Sequence, residues 1–204
     1  SLLWGDNITW QVRKRMLEFF PNGGRGLLPL AWESSDYVLG GAEQSFEAGG
    51  WDIGLLQTMA STSFHVGISL RKYTALRENT WSRIKLNKGE EALALGILAD
   101  PGKARLSVRF VLTNNAVVTQ NLPKIDRGYL LLTNRMQWRE ATVSAGRGAV
   151  LYGLDVRRAA GLTYSPVVRK GICSHDFPNI EAATFRKQLG EWKPDLVIWQ
   201  FGKN

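Results

Sequence analysis

The stretch LSVRFVL, residues 106–112, places an apolar side chain at every second position: Leu106, Val108, Phe110 and Leu112. A period of two is typical of a β-strand with one buried face, because successive side chains point to opposite sides of the backbone. The pattern recurs in Val150, Tyr152, Leu154 and Val156. These two runs predict β-strands in the middle of the chain.

Further runs and turn signals extend this prediction to residues 45–158. Residues 64–70 also alternate, and Asp100-Pro101-Gly102 and Asn114-Asn115 have the composition of turns. No convincing helical periodicity interrupts the region. We therefore predict an all-β sandwich domain over residues 45–158.

The segment before the sandwich, residues 1–44, has a different pattern. The apolar run LLW ends at Gly5-Asp6, and side chains at helical spacing follow it: Val12, Met16, Phe19 and Phe20. Arg13, Lys14 and Glu18 would lie on the opposite, solvent-facing side of this helix. The sequence PNGGRG, residues 21–26, would end the helix, since proline lacks a donor and glycine tolerates left-handed angles.

The segment after the sandwich, residues 159–204, returns to mixed structure. Asn179 could cap a helix that carries Ile180, Phe185, Leu189 and Trp192. The run LVIWQF, residues 196–201, is apolar without alternation, as in a parallel strand buried on both faces. We predict an α/β domain in two parts, 1–44 and 159–204, interrupted by the sandwich.

Composition restricts the classes of function. The net charge is +8, but the Lys and Arg residues are scattered and no nucleic-acid-binding motif accompanies them. We therefore expect no nucleic-acid partner, and the charge suits an acidic polymer such as cell-wall glycan. The chain has no apolar run of about 18 residues and no signal peptide, and its opening at Ser1 suggests a trimmed terminus. One cysteine and two histidines predict neither an internal disulfide nor a metal site.

Three short blocks resemble those of the SGNH, or GDSL, hydrolase superfamily. GDNIT, residues 5–9, looks like the Gly-Asp-Ser block, KPDLVIWQFGKN, residues 193–204, looks like the third block, and Gly171 stands where the second-block glycine belongs. With PNGGRG and the inserted sandwich, the order resembles bacterial peptidoglycan O-acetylesterases that carry a carbohydrate-binding-module-like domain. The resemblance implies a flavodoxin-like, three-layer α/β sheet, incomplete at its C-terminal end.

The resemblance also implies site residues and a reaction. Asn7 occupies the position of the nucleophilic serine, and the oxyanion donors would be the N–H groups of Asn7 and Gly171 with the side-chain amide of Asn204. The implied reaction removes O-acetyl groups from cell-wall glycan without a cofactor. Donors placed at a helix N-terminus would stabilise the developing negative charge.

Two departures from the family pattern predict that this chain is catalytically inactive. The amide nitrogen of Asn7 has its lone pair delocalised into the carbonyl and is a poor nucleophile. The Asp-x-x-His block that supplies the base and its orienting acid is absent from these 204 residues. A Cys173–His175 pair is the weaker alternative, because groups this close in sequence rarely converge on one reacting atom. We expect His65 to have only a surface role.

Several alternatives stay open from the sequence. Asn7 is natural or engineered, and the chain is a pseudoenzyme or a fragment whose sheet a missing C-terminal segment or a partner chain completes. The second class of hypothesis is a non-catalytic glycan-binding protein that works through the sandwich. Trp51, Trp81 and Trp138 could stack on sugar rings, although we expect them to be buried. The resemblance places the protein in the periplasm or outside the cell.

Overall fold

The computed structural model describes residues 8–31, 42–56, 65–102, 105–167 and 174–198. Within these ranges two α-helices and one 3-10 helix flank ten β-strands. The helices are α1 (Ile8–Met16), α2 (Ala182–Trp192) and the 3-10 helix Ser174–Asn179. The strands are β1 (Gly24–Leu28), β2 (Ala42–Phe46), β3 (Trp51–Leu55), β4 (Arg71–Ala75), β5 (Thr80–Leu86), β6 (Ala92–Ala99), β7 (Leu106–Leu112), β8 (Val117–Leu122), β9 (Tyr129–Ala145) and β10 (Val150–Arg157).

The strands form one curled antiparallel sheet with two leaves. In leaf A the first half of β9 pairs with β6, β6 with β10, β10 with both β1 and β4, and β4 with β3. In leaf B the strand order is β2, β5, the second half of β9, β7 and β8. The long strand β9 therefore belongs to both leaves, and the curl brings their inner faces together.

The main core lies between the two leaves. Leu95 and Leu151 from leaf A and Ile84 and Val108 from leaf B are all fully buried in one apolar cluster. Trp138 is fully buried beside Phe110, with ring centroids 5.6 Å apart. Burying one such side chain contributes about 1.5–3 kcal/mol, so the inner faces supply most of the stabilisation of the fold.

A second, smaller cluster lies on the outer face of leaf A, where helix α2 packs. Phe185, Leu189 and Trp192 of the helix contact a patch of buried residues on that face. The patch consists of Leu27, Ile68, Leu98, Tyr129, Val150 and Tyr152. Helix α2 thus covers one outer face of the sandwich.

Strand β1 is held against the end of β10 through its glycines. Gly24 has φ of +127°, and a Cβ on Gly23 would lie 2.3 Å from the carbonyl oxygen of Gly161. A side chain at Gly23 would displace the backbone of the neighbouring loop, and an L-residue at Gly24 would be strained. Helix α1 ends at Met16, so the prediction that the helix extends through Phe19 and Phe20 to PNGGRG is wrong. Residues 17–20 form turns with both phenylalanines exposed, and PNGGRG enters strand β1, which the sequence did not indicate.

The predicted three-layer α/β sheet is wrong. Every strand pairing in the described ranges is antiparallel, and the one parallel contact is the isolated bridge between Asn22 and Leu162. Strand β1 lies before residue 45 and β2 crosses it, and both join this sheet, whereas the described residues after 158 contribute helices without a strand. The predicted boundaries at 44/45 and 158/159 stay a prediction.

Two segments predicted as strands do not form strands in the described residues. Residues 65–70 form a loop and a turn, although Val66, Ile68 and Leu70 are buried. Residues 196–198 are not a strand, and Leu196 and Ile198 are 75% and 74% exposed. An apolar pattern indicates a preference for burial, but a strand also needs a neighbouring strand with which its backbone forms hydrogen bonds. The rest of LVIWQF, residues 199–201, lies outside the described residues.

The helices of the described ranges are short. None has the length and apolar character needed to cross a membrane.

Candidate functional site

The residues that the resemblance assigns to catalysis cannot be located. Asn7, Gly171 and Asn204 all lie outside the described residues. Helix α1 begins at Ile8, directly after Asn7 in the sequence, as expected for a helix that follows this block. The predicted roles of the three residues stay predictions.

The alternative Cys173–His175 pair stays a prediction, because Cys173 and the side chain of His175 lie outside the described part of the structure. The backbone of His175 lies in the 3-10 helix Ser174–Asn179. His65 lies in a loop with its side chain 66% exposed and Nδ1 at 3.9 Å from Oε2 of Glu181. The expected surface position of His65 is therefore confirmed, although its strand is not. The described residues contain no group of three potential metal ligands.

A buried carboxylate ties helix α2 to leaf A. Oδ2 of Asp155, a residue 1% exposed, accepts hydrogen bonds from the Tyr129 hydroxyl at 2.8 Å, Trp192 Nε1 at 2.8 Å and Arg157 Nε at 2.6 Å. Burial, with the Asp155 charge as the next cause, raises the pKa of Tyr129, so this hydroxyl stays a donor. Asp155 therefore acts as a shared acceptor for two strands and the helix.

Two more side chains of helix α2 bind the backbone of the sandwich. Gln188 is 1% exposed and its Oε1 accepts from the Ile68 amide at 3.0 Å. Oε2 of Glu191 accepts from the Tyr129 amide at 2.7 Å. These contacts satisfy backbone donors that the sheet leaves unpaired, and they fix the position of the helix. These side chains therefore hold helix α2 against leaf A.

Helix α1 is anchored by a buried arginine. The sequence pattern placed Arg13 on the solvent face, yet it is 6% exposed, and Nη2 donates to Asn22 Oδ1 at 2.9 Å and to the Gly24 carbonyl at 3.1 Å. Burial, followed by the charge of Arg25, lowers the pKa of Arg13. The long side chain of arginine reaches past the helix to polar partners, which helical periodicity alone does not show.

The outer face of leaf B is open and polar. Cross-strand register places Trp81, Ser144, Ser107 and Asn121 in one row over β5, β9, β7 and β8. A second row, beginning on β2, contains Ser45, Arg83, Thr142, Arg109 and Thr119. We call these nine residues the leaf B platform. Five strands at about 4.8 Å spacing make it about 19 Å wide.

Most polar side chains of the platform have no hydrogen-bond partner among the described residues. The side chains of Ser107, Thr119, Asn121, Thr142 and Ser144 make no hydrogen bond to a described residue, and all five are half-buried or exposed. Arg83 Nε donates to Ser45 Oγ at 3.0 Å and has no ion-pair partner in the described ranges. Arg109 Nη1 lies 3.8 Å from Glu140 Oε1, with half of its side chain exposed. The platform can therefore offer several donors and acceptors to a ligand.

The three candidate sugar-stacking tryptophans differ in burial. Trp51 and Trp138 are buried, as expected, so neither ring is open to a ligand. Trp81 is half-buried and stands in the first row of the platform. Its carbonyl oxygen accepts from Trp51 Nε1 at 3.2 Å, which fixes the backbone beneath the indole. Trp81 is thus the tryptophan of the three that can contact a ligand.

Comparison with known proteins identifies a related fold. No protein-family model matches the sequence, and no curated protein matches it. A solved peptidoglycan O-acetylesterase superposes with a TM-score of 0.64 at 16% identity, covering 90% of this chain and 49% of that chain. This chain therefore spans about half the length of that esterase. At such low identity the match shows a shared fold and nothing about chemistry.

Carbohydrate-binding modules also match, at lower similarity. A fucose-binding module from Streptococcus pneumoniae gives a TM-score of 0.34 at 17% identity, covering 46% of this chain and 73% of that module. A family 32 module from C. perfringens, in complex with galactose, gives 0.37 at 13% identity, covering 56% of this chain and 90% of that module. Scores this low carry no argument about this chain.

Proposed function

We propose that this chain binds cell-wall glycan through its β-sandwich and derives from a carbohydrate O-acetylesterase. The observation that carries the proposal is the fold shared with a peptidoglycan O-acetylesterase over 90% of the chain. The polar leaf B platform, with its half-buried tryptophan, supports it, because sugars are bound by stacking on aromatic rings and by hydrogen bonds to hydroxyl groups.

The catalytic part of the proposal concerns the SGNH-like blocks. In it, Asn7 stands at the nucleophile position, and Gly171 and Asn204 supply oxyanion donors. A chain with asparagine at this position should not hydrolyse an ester, since loss of a nucleophile in serine hydrolases costs on the order of a millionfold in turnover. The proposed ligand is acetylated glycan or peptidoglycan, which places the protein in the periplasm or outside the cell.

Co-sedimentation with purified, O-acetylated peptidoglycan tests the binding function. We expect the chain to pellet with the sacculi and to be released by soluble glycan fragments. A heat-unfolded sample is the control for non-specific adhesion. The assay uses about 10 μM protein, a concentration that detects tighter binding but misses binding with a millimolar Kd. If the folded chain does not pellet with the sacculi, the proposal is overturned.

Hydrolysis of p-nitrophenyl acetate tests the catalytic part separately. We expect turnover at the level of a protein without an active site. Turnover that survives both Cys173→Ala and His175→Ala would contradict the assignment of Asn7 as a dead nucleophile. Turnover that either substitution abolishes would favour the Cys173–His175 pair.

A further inference from the structure

The charge on the leaf B platform is one-sided. Its two rows contain two cationic side chains, Arg83 and Arg109, and no carboxylate. The carboxylates of this face, Glu43 and Glu140, lie in the next row beside Lys85. Lys85 Nζ is 3.0 Å from Glu43 Oε2, and Glu140 Oε1 lies 3.8 Å from Arg109 Nη1 of the platform.

The two arginines stand on either side of the central strand. Both pair in register with Thr142 of β9, Arg83 from β5 and Arg109 from β7. Arg83 Nε donates to Ser45 Oγ on β2, and Arg109 Nη1 lies 3.8 Å from Glu140 Oε1. The platform therefore carries two guanidinium groups two strands apart, one on each side of Thr142. Guanidinium groups bind carboxylates with paired hydrogen bonds, and lysine does not match that geometry.

The row next to the arginines supplies different chemistry. Trp81 offers an aromatic surface, and the hydroxyl groups of Ser144 and Ser107 have no hydrogen-bond partner in the described part of the chain. A pyranose ring can stack on the indole while its hydroxyl groups contact this floor. The platform therefore provides an aromatic contact, neutral hydrogen-bonding groups and two cations in adjacent rows.

We infer that the leaf B platform binds an extended glycan that bears carboxylate groups, with sugar rings along the Trp81 row and carboxylates at Arg83 and Arg109. This inference rests on the proposed glycan-binding function and adds the surface and the class of glycan. Neutral glycans would use only the Trp81 row and bind more weakly.

Fluorescence anisotropy with labelled, peptide-free peptidoglycan strands tests the inference. Their lactyl carboxylates are free, and a matched probe carries the same groups as methylamides. We expect Arg83→Gln and Arg109→Gln each to weaken binding of the free-acid strands about tenfold, because each removes a charge-assisted contact. Trp81→Ala should weaken binding of both probes by about three- to tenfold. Thermal unfolding of each variant checks that the fold is retained.

Arg135→Gln is the matched control, since Arg135 is exposed on the same strand β9 but outside the platform. It should bind like the unsubstituted chain, and the methylamide probe should be insensitive to both platform arginines. Binding of the free acid should also weaken when ionic strength is raised to about 0.15 M.

The possible failures are distinguishable. If the unsubstituted chain binds neither probe nor sacculi, the proposed function itself is overturned. If it binds strands but Arg83→Gln, Arg109→Gln and Trp81→Ala bind equally well, glycan binding stands and the platform is the wrong surface. If both probes bind equally and both arginine variants weaken both, the surface is right and the preference for carboxylates is wrong.

Discussion

The outer faces of the two leaves come from the same alternating sequence pattern and have different fates. On leaf A the outward residues Tyr129 and Tyr152 are buried under helix α2, and Asp155 is enclosed with them. On leaf B the outward residues, such as Arg83, Thr142 and Arg109, stay half-buried or exposed. The covered outer face of leaf A therefore contributes to stability, and the open outer face of leaf B is available to bind a ligand.

This difference has a physical signature in the hydrogen bonds. On leaf A one oxygen of Asp155 has three donors, and helix side chains pair with sheet amides. On leaf B five neighbouring polar side chains have no described partner. A buried polar group needs a hydrogen-bond partner within the protein, whereas an exposed one can bond to water or to a ligand. Substitutions on the two faces should consequently have very different effects on stability.

The largest effect is expected at Asp155. Asp155→Ala would leave the Arg157 guanidinium, the Tyr129 hydroxyl and the Trp192 indole N–H without their shared acceptor. Removing one partner of a buried charged group typically costs about 3–5 kcal/mol, and we expect a loss of this order in the free energy of unfolding. Urea unfolding followed by tryptophan fluorescence measures it.

Glu43→Ala is the matched control on leaf B. Glu43 is an exposed acid whose ion-pair partner among the described residues is Lys85, and its loss should change stability by less than about 0.5 kcal/mol. Equal losses for Asp155→Ala and Glu43→Ala would erase the contrast between the faces.

A smaller effect is expected at Trp192, where the helix meets the carboxylate. Trp192→Phe keeps most of the aromatic packing on leaf A and removes the hydrogen bond to Asp155. A hydrogen bond to a charged group contributes about 1.5–3 kcal/mol, so a loss near the lower end is expected for this partly buried pair. Hydrogen exchange should show faster exchange in helix α2 than in strand β7. If β7 exchanges faster as well, the helix is not an independent cover.

The N-terminus of helix α2 allows a pH-dependent test, with an expected change of about 1 kcal/mol in the free energy of unfolding. Glu181 caps helix α2, accepting from the Thr184 amide at 3.0 Å. Hydrogen bonding to the Thr184 side chain, followed by this amide hydrogen bond and the charge of His65, lowers the pKa of the Glu181 carboxyl below its ordinary value of 4.5. Its stabilisation is therefore present above that value and is lost as the pH falls through the lower, folded-state pKa.

Glu181→Ala should lose about 1 kcal/mol of unfolding free energy at pH 7, a typical value for a helix cap, and the gap to the unsubstituted chain should close under acid. Glu181→Gln keeps an acceptor oxygen and removes the charge, so its stability should lack this pH dependence. A gap that stays constant down to pH 3 would contradict the capping role.

The smallest effect is expected on the open face, at Thr142. Thr142→Val replaces a hydroxyl without a described partner by a methyl group of similar shape on a central strand. Since both residues favour strands, we expect a change of less than about 0.5 kcal/mol in thermal unfolding. A loss above 1 kcal/mol would mean that the hydroxyl is already paired in the folded protein.

Local patterns in the sequence predicted part of this fold. The alternation at residues 106–112 and 150–156 marks β7 and β10, and both are strands. The turn at Asp100-Pro101-Gly102 and the helix carrying Phe185 are also confirmed. The cap of that helix is Glu181 instead of Asn179, because the 3-10 helix occupies the preceding residues.

Longer-range relations were not predictable in the same way. The composition around Gly24 and Gly26 is that of a turn. Their place in a strand could not be predicted locally, because the strand they pair with, β10, is distant in sequence. The sequence did not indicate the role of Asp155, because its hydrogen-bond donors come from three separate elements, β9, β10 and helix α2. The platform rows depend on the register of β5, β7 and β9. Contacts between segments that are distant in sequence determine this register.

The pairing of β1 with β10 has a consequence for synthesis on the ribosome. Strand β1 is completely buried, yet its partner is the last strand of the sandwich to emerge. Until residues 150–157 leave the exit tunnel, Leu27 and Leu28 have no ladder to join. Nascent chains with exposed apolar strands aggregate readily, so they depend on chaperones that hold such segments. A chain of this topology can close its first strand only after almost all of the sandwich has been translated.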